Sequence, residues 1–179
     1  IPVIDLEGLA NHKGSAFGAL GQHEQASQEQ FENKLAGALF HASNAHPYFW
    51  IEDESQRIGT NMLPVNFFKN IRNSICYFID IPFEARLQFI VAAYGKFAVA
   101  DLIAATLRIQ KRLGGLETKT AVNCLVENNI EAAFAILLKY YDKVYLKNIE
   151  NAAIPKFKTE KIEAPEVNPI QNAGLFMHL

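Results

Sequence analysis

Residues 1–18 read IPVIDLEGLANHKGSAFG, and this stretch decides how the fold is interpreted. Residues 1–4 are apolar and rich in β-branched side chains, which predicts a short buried strand. The segment 5–18 then carries two carboxylates, a histidine, a lysine, a serine and three glycines. Glycine frees the backbone to turn and lets a ligand come close. So many polar groups directly after a strand indicate either a ligand site or a turn that is polar for structural reasons.

Length and composition place the 179-residue chain among globular proteins of one domain, or one domain with a small appendage. The formal net charge is −2, so any surface for a polyanion must be a local patch. Cys76 and Cys124 lie far apart in apolar runs without metal-ligand spacing, so we expect buried free thiols, a reducing cytoplasmic location and no metal site. No apolar run reaches the roughly 18 residues of a membrane span, so we expect no membrane partner.

Strands and helices alternate in the first half of the chain. Continuously apolar strands are expected at 1–4, 48–51 and 75–79, and helices follow each of them, one starting with the capping-box pair Ser27 and Gln30. Such strands are typical of a parallel sheet flanked by helices, so the predicted class is α/β. We expect an α/β core at 1–98, a helical extension at 99–150, and a terminal strand at 157–164 with an irregular tail within 151–179.

Acidic residues stand at the end of each predicted strand. They form three groups: Asp5 with Glu7, the run Glu52-Asp53-Glu54, and Asp80. Ligands of parallel sheets bind beyond the carboxyl ends of the strands, so parallel strands would gather these acids at one edge. Paired acids after an apolar strand hold Mg²⁺ or a water in phosphate-handling proteins, which makes Asp53 and Glu54 the catalytic candidates. The alternative, favoured for Asp80, is that the acids cap the following helices.

The turn after the first strand has the chemistry of a phosphate site. It offers a cation, a hydroxyl and flexible backbone. The predicted phosphate- and substrate-binding residues are Asp5, Glu7, His12, Lys13, Gly14, Ser15 and Arg57. A lone lysine in a loop is most often only solvated, so a merely polar turn is the alternative. His12 has no partner histidine at ligand spacing, which argues against a metal role.

Two sets of basic residues are predicted on helical faces of the second half. One set is Arg108, Lys111 and Arg112 within a helix expected at 100–113. The other is Lys139, Lys143 and Lys147, at steps of four residues. In the first helix the residues expected to face the core are Leu102, Ile103, Thr106, Leu107, Ile109 and Leu113. Such basic stripes are most often solvated faces, and the alternative is that they follow a phosphodiester backbone. Tyr140, Tyr141 and Tyr145 beside the second set would either pack or stack on bases.

No Gly-x-x-x-x-Gly-Lys-Ser/Thr motif occurs in the chain. The order of elements otherwise looks like a P-loop NTPase or nucleotide kinase. We therefore expect a P-loop-type fold whose phosphate loop is missing from this chain and would fit upstream of residue 1.

Several motifs occur in a recognisable order. They are Asp5 to Gly18, Gln28-x-x-Phe31-Glu32-Asn33, Trp50-Ile51-Glu52-Asp53-Glu54-Ser55-x-Arg57-Ile58-Gly59, Pro82-Phe83-Glu84-x-Arg86-Leu87, Arg108-Ile109-x-Lys111-Arg112-Leu113-Gly114, and Tyr140-Tyr141-Asp142-x-x-Tyr145. Each motif alone is weak evidence of a relationship, but the ordered set covers most of residues 3–147. The set resembles bacterial tRNA 2-selenouridine synthases.

The resemblance implies an architecture and an activity. Enzymes of this family have an N-terminal rhodanese-like domain with an essential cysteine, followed by a P-loop domain, and this chain resembles the second domain. The family replaces the sulfur of wobble 2-thiouridine in tRNA with selenium from selenophosphate, through an S-geranyl intermediate made from geranyl diphosphate. The resemblance makes tRNA and the rhodanese-like domain the expected partners and leaves a bound nucleotide or Mg²⁺ open.

The resemblance also limits what is expected of this chain alone. The catalytic cysteine does not carry over to Cys76 or Cys124, so we expect a fragment of a tRNA-modifying transferase that is inactive by itself. Arg108, Lys111, Arg112, Lys139 and Lys143 become the expected tRNA contacts. The alternatives are a non-catalytic RNA-binding module and an unrelated small-molecule kinase-like P-loop protein.

Overall fold

A computed structural model describes residues 1–150 and 159–176, without the side chains of 148–150. The chain divides into two compact units, Ile1–Asn73 (unit 1) and Ser74–Leu179 (unit 2). The first two residues of the strand predicted at 157–164, and the last three of the predicted tail, lie outside the described residues.

Unit 1 joins a short parallel sheet to a hairpin and three helices. Its elements are β1 (Val3–Ile4), α1 (Leu6–Ala10), α2 (Gln28–Ala45), β2 (Trp50–Ile51), β3 (Arg57–Ile58), β4 (Asn61–Met62) and α3 (Val65–Arg72). β1 and β2 are parallel, with Val3 opposite Trp50, which confirms the first two predicted strands in shortened form. The antiparallel β3–β4 hairpin was not predicted, because two strands of two residues leave no alternating pattern to detect.

Local signals in the sequence explain where the unit 1 helices begin. The Ser27 hydroxyl accepts the Gln30 N–H at 3.2 Å and starts α2, as predicted. α3 begins directly after Pro64, whose ring fixes φ at a value compatible with a helix start. The buried side chains form one core: Ile4, Leu6, Ala10, Phe31, Leu35, Ala42, Ile58 and Leu63. This core joins β1, α1, α2 and the hairpin, so it fixes the segments that carry the acidic residues.

Unit 2 is mostly helical around a second short parallel sheet. Its elements are β5 (Cys76–Asp80), α4 (Phe83–Tyr94), α5 (Val99–Arg108), α6 (Gln110–Leu113), α7 (Gly115–Val126), α8 (Ile130–Glu150), β6 (Thr159–Glu163) and α9 (Pro169–Gly174). β5 and β6 are parallel, with Cys76 opposite Thr159. α8 packs against α4 and α7, and α5 packs against α7. Both cysteines are half-buried thiols that are not joined in a disulfide.

The expectation of one sheet built from the first three strands is wrong for the described residues. β5 pairs with β6, and β1 pairs with β2. An apolar run identifies a strand but not its partner, since pairing depends on contacts distant in sequence. The broader expectation holds: the structure is α/β, with short parallel sheets flanked by helices.

Three further details of unit 2 differ from the sequence expectations. The helix expected at 100–113 is divided at Ile109, where φ is −101° and ψ is 4°. Leu107 is 41% exposed rather than in the core, whereas Leu102 and Thr106 are fully buried. The tail expected to be irregular contains α9, whose start is capped by the Asn168 side chain before Pro169.

Within the described residues, no helix combines the length and apolarity needed to cross a membrane.

Candidate functional site

The parallel pairing of β1 and β2 brings two acidic groups together at one sheet edge. Ile4 lies opposite Ile51, so Asp5 and Glu52 leave their strands side by side. Glu52 accepts the backbone N–H of Leu6 at 2.7 Å. Asp5 accepts the N–H of Gly8 at 2.6 Å. Both carboxylates stabilise the start of α1. Asp5 thus caps the helix that follows it, as the alternative expected, whereas the helix that Glu52 stabilises precedes it in the chain.

The side chains of Glu7 and Glu54 form a carboxyl pair, which we call the Glu7–Glu54 pair. Burial, the negative charges of Glu54 and Glu52, and a hydrogen bond to Glu54 raise the pKa of Glu7 to about 7. Burial also raises the pKa of Glu52, although its bond from Leu6 opposes that shift. A carboxyl group that titrates near neutrality is suited to proton transfer.

Gly14 makes room for this pair. Its φ is +66°, and a Cβ at this position would lie 2.7 Å from a carboxylate oxygen of Glu54. A side chain at residue 14 would thus both strain the backbone and displace Glu54. The conformation of the turn at 11–18 and the position of Glu54 after β2 therefore depend on each other.

Asp53, the other catalytic candidate, has a structural partner. Its carboxylate lies 2.6 Å from a guanidinium nitrogen of Arg72 on α3. The same nitrogen of Arg72 donates to the backbone oxygen of Glu54 at 2.5 Å. The guanidinium carbon also stands 4.9 Å from the ring centre of Phe68. Arg72 therefore holds the acidic segment in place. It was not predicted as a site residue, because an arginine in the last turn of a helix is common and the local sequence does not show what it contacts.

The turn that carries the predicted phosphate-binding residues is closed by its own backbone. Lys13 N–H donates to the oxygen of Gly18 at 3.0 Å. The Ser15 hydroxyl accepts the N–H of Phe17 at 3.1 Å. His12 is buried against Gly18, whereas the Lys13 side chain is exposed. The turn thus presents Lys13 to solvent beside Gly14, while His12 packs inside.

Gln25 was not predicted as a contact residue, because the polar segment 21–26 has no periodicity and indicates only a loop. Its side-chain nitrogen donates to the oxygen of Ala10 at 2.8 Å and to the side-chain oxygen of Asn61 at 3.0 Å. Its side-chain oxygen accepts the N–H of Thr60 at 2.8 Å. Gln25 therefore ties the end of α1 to the β3–β4 hairpin.

Arg57 stands on this hairpin rather than in the acidic cluster. It is exposed, and its Nε donates to the oxygen of Gly59 at 2.9 Å. Across the described part of the chain, no three His, Cys, Asp or Glu side chains are arranged to hold a metal ion.

Asp80 does not cap the helix that follows it. Its carboxylate pairs with the Lys161 ammonium of β6 at 2.5 Å. The residue before α4 is Pro82, and no side chain caps that helix start. The capping expectation for Asp80 is therefore wrong, because the parallel partner strand supplies a cation that the local sequence does not reveal.

All the predicted tRNA-contacting side chains are exposed in unit 2. Arg108 ends α5, and Lys111 and Arg112 belong to α6, so the first set spans a helix break rather than one continuous face. Lys139 and Lys143 lie one turn apart on α8. Exposure is compatible with polyanion binding, and their role stays a prediction.

The comparison with protein families agrees with the motifs quoted above. Residues 2–164 match the family described as the tRNA 2-selenouridine synthase AAA domain. The chain belongs to the tRNA 2-selenouridine synthase family. This confirms the resemblance inferred from the ordered motifs.

Individual relatives carry the same name. The chain is 34% identical to the tRNA 2-selenouridine synthase of Shewanella frigidimarina, over 82% of this chain and 48% of that protein. It is 33% identical to that of Shewanella piezotolerans, over 84% and 49%. A shorter match to the one from Nitrosomonas europaea is 41% identical over 52% and 24%. The chain thus spans about half the length of the first two relatives. No solved structure matches.

Proposed function

We propose that this chain is the part of a tRNA 2-selenouridine synthase that binds tRNA and a phosphorylated substrate, with the Glu7–Glu54 pair moving the proton in sulfur-to-selenium exchange. The observation that carries the proposal is the pKa of Glu7 near 7, in a pair built on the edge of β1 and β2. The family match over residues 2–164 supports it.

The first step of the proposed transfer needs a base. The sulfur of 2-thiouridine attacks C1 of geranyl diphosphate, an S–C bond forms, and diphosphate leaves with the electrons of the broken C–O bond. The N3 proton of the base goes to the Glu7–Glu54 pair, which holds a proton only part of the time at neutral pH. Lys13, exposed beside Gly14, supplies a cation for a phosphate oxygen.

The second step needs an acid. The selenium of selenophosphate attacks C2 of the base, and geranyl thiolate leaves with the electrons of the broken C–S bond. The pair returns its proton to that thiolate. Water then takes the phosphoryl group from selenium as the P–Se bond breaks with its electrons on selenium, and a proton that this water releases returns to N3. One pair therefore serves as base and then as acid, which a pKa near the working pH permits.

The wider architecture belongs to the same proposal. A P-loop-like fold is supported by the parallel β1–β2 edge with its acidic residues and by the description of the family's domain. In relatives about twice as long, we expect the other half to carry the rhodanese-like domain with the catalytic cysteine. This chain then works in the cytoplasm, where its tRNA substrate is, and is inactive alone.

The test replaces one member of the pair in the full-length protein. Glu54→Gln should lower the 2-selenouridine content of tRNA, measured by nucleoside mass spectrometry, by about 100-fold or more. Glu24→Gln, an exposed glutamate outside the cluster, is the control and should change nothing. An unchanged content in Glu54→Gln would refute the role of the pair. Unchanged 2-selenouridine after deletion of the whole gene would refute the function.

The exposed basic residues of unit 2 favour a second candidate, a module that binds tRNA without chemistry of its own. Both candidates expect tRNA binding by this chain. They differ in Glu54→Gln, which should bind tRNA normally in either case but lose product only if the pair takes part in the reaction.

A further inference from the structure

The parallel sheet of unit 1 has one face packed on the core. On that face Ile4 is buried, and Phe49 and Ile51 pack against the same core. α2 lies on this side of the sheet, since Phe31 and Leu35 of that helix belong to the core. Successive side chains of a strand point to opposite faces, so the residues that alternate with Ile4, Phe49 and Ile51 point away from α2.

The opposite face of this sheet, which we call the outer face, is apolar. It carries Ile1 and Val3 from the first strand segment and Tyr48 and Trp50 from the second, with Val3 opposite Trp50. The ladder begins at Pro2, whose oxygen accepts the Trp50 N–H at 2.8 Å. Ile1 is 61% exposed, Val3 69% and Tyr48 73%. Within the part of the chain that the structure describes, the outer face is therefore left largely to solvent.

An exposed apolar face is unusual for a parallel sheet. Such sheets occur almost only with both faces covered, most often by helices. Two strands spaced about 5 Å apart form a strip roughly 10 Å wide, which matches the width of one helix with its side chains. The outer face thus has the chemistry and the width to pack against one apolar helix face.

Charge argues against tRNA on the outer face. The strands end at Asp5 and Glu52, which leave the sheet side by side, and the Glu7–Glu54 pair lies close to them. A polyanion placed on this face would meet these carboxylates and be repelled.

Area argues against a second copy of this chain. Four residues on each of two strands span roughly 10 by 13 Å, or about 130 Å². A stable interface between separate proteins buries about 800 Å² on each partner. A segment of the same polypeptide needs far less area, because covalent linkage keeps it at an effective concentration on the order of millimolar.

The relatives have the polypeptide to supply such a segment. The match covers 48% of one and 49% of the other of the first two relatives, so about half of each lies outside it. We propose that the outer face packs against an amphipathic helix from that half of a full-length synthase. The helix presents an aliphatic or aromatic stripe to Ile1, Val3 and Tyr48 over about nine residues or more, the number that spans 13 Å at a rise of 1.5 Å. The inference rests on the family match and not on the proton-transfer role.

The test is hydroxyl-radical footprinting of the full-length protein and of this chain, read by mass spectrometry. Tyr48 should be oxidised about fivefold or more slowly in the full-length protein, because a ring packed under a helix is shielded from water. Phe40, an exposed ring on α2, is the control and should react at similar rates in both. Phe31 is fully buried and reports whether this chain is folded. If Phe31 reacts in this chain, the full-length protein decides alone: Tyr48 must react more slowly there than Phe40, although it is the more exposed of the two in this structure.

A matched pair of variants in the full-length protein extends the test. Val3→Lys places a charge on the outer face, and Phe40→Lys places the same charge on α2 outside it. Val3→Lys should raise the oxidation rate of Tyr48 about threefold or more, because a charge is costly to bury under an apolar helix face. Phe40→Lys should leave that rate unchanged.

Several outcomes would overturn the proposal. One is equal oxidation of Tyr48 in the full-length protein and in this folded chain. Another is protection of Tyr48 in this chain that grows with its concentration, which would assign the outer face to a second copy. A third is protection that appears only when tRNA is added. If Tyr48 is protected as expected but Glu54→Gln leaves 2-selenouridine unchanged, the helix packing stands and the proton-transfer role is wrong.

Discussion

The carboxyl group of Glu7 hydrogen-bonds to that of Glu54, although the two residues follow different strands. A hydrogen bond between two carboxyl groups needs a proton on one of them, so the pair retains a proton to higher pH than a lone glutamate does. Gly14 leaves the space in which Glu54 lies, and Arg72 holds the backbone at Glu54. The pair is therefore a product of the fold rather than a chance contact of surface side chains.

Glu7→Gln should change how stability depends on pH. The pKa of Glu7 is about 7 in the folded state and ordinarily 4.5, so the folded chain binds the extra proton between these values. The stability that this proton contributes is complete below pH 4.5 and is lost as the pH rises through 7. Glu7→Gln has no such loss and should be more stable than the unaltered chain at pH 8 by on the order of 1 kcal/mol, the shift being discounted for a half-exposed group.

Urea unfolding at pH 5 and pH 8 measures this difference. Glu24→Gln, an exposed glutamate outside the cluster, reports the general effect of removing one negative charge. If the unfolding free energies of Glu7→Gln and of the unaltered chain change in parallel between the two pH values, the raised pKa of Glu7 is contradicted.

Arg72→Met should destabilise unit 1. It removes the ion pair to Asp53 and the hydrogen bond to the Glu54 oxygen, while the methionine still packs on Phe68. We expect a loss of about 1–3 kcal/mol in unfolding free energy by chemical denaturation. Lys69→Met removes an exposed positive charge from the same last turn of α3 and should cost far less. Equal losses in the two variants would mean that Arg72 acts only through its charge.

Gln25→Ala should loosen the link between α1 and the hairpin. The alanine cannot bond to Ala10, Asn61 or Thr60, and Asn61 is buried. We expect a loss of about 2–3 kcal/mol, because several polar groups lose their partner at once. Amide hydrogen exchange at Thr60 should accelerate in the same variant. Gln22→Ala, in the same loop, is the control, and unchanged exchange at Thr60 in Gln25→Ala would contradict the link.

The parts of the fold that local signals determine were predictable. The Ser27 cap fixed the start of α2, and the prolines at 64 and 82 fixed the starts of α3 and α4. The pairing of β5 was not predictable. Its partner is β6, some eighty residues later, and the apolar pattern marks strands without assigning their partners.

The candidate site was likewise predictable only in part. Parallel pairing explains why Asp5 and Glu52 meet, and the sequence order was enough to expect it. The sequence does not show which of the three consecutive acids contacts Glu7. That choice depends on Arg72 of α3, which forms an ion pair with Asp53, so that Glu54 is the residue that bonds to Glu7. Gln25 escaped notice for the same reason: its partners come from segments that only the folded chain brings together.

Reversing the charges of Arg108, Lys111 and Arg112 to glutamate should weaken tRNA binding. Each cation that neutralises a phosphate adds roughly 0.7–0.9 to the slope of log affinity against log salt, so three contacts should lower that slope by about 2–3. The measurement is tRNA affinity by fluorescence anisotropy between 50 and 200 mM salt, a range in which such contacts dominate the change. The same reversal at Lys34, Lys69 and Lys119, which are exposed but outside the two basic sets, changes the net charge equally and is the matched control. If Arg108, Lys111 and Arg112 form a local tRNA surface, their triple variant should show lower tRNA affinity and a smaller salt slope. The Lys34, Lys69 and Lys119 variant should then keep most of its affinity and of its salt slope. An equal loss in the two would show that net charge alone attracts tRNA, and those three residues would then have no special role.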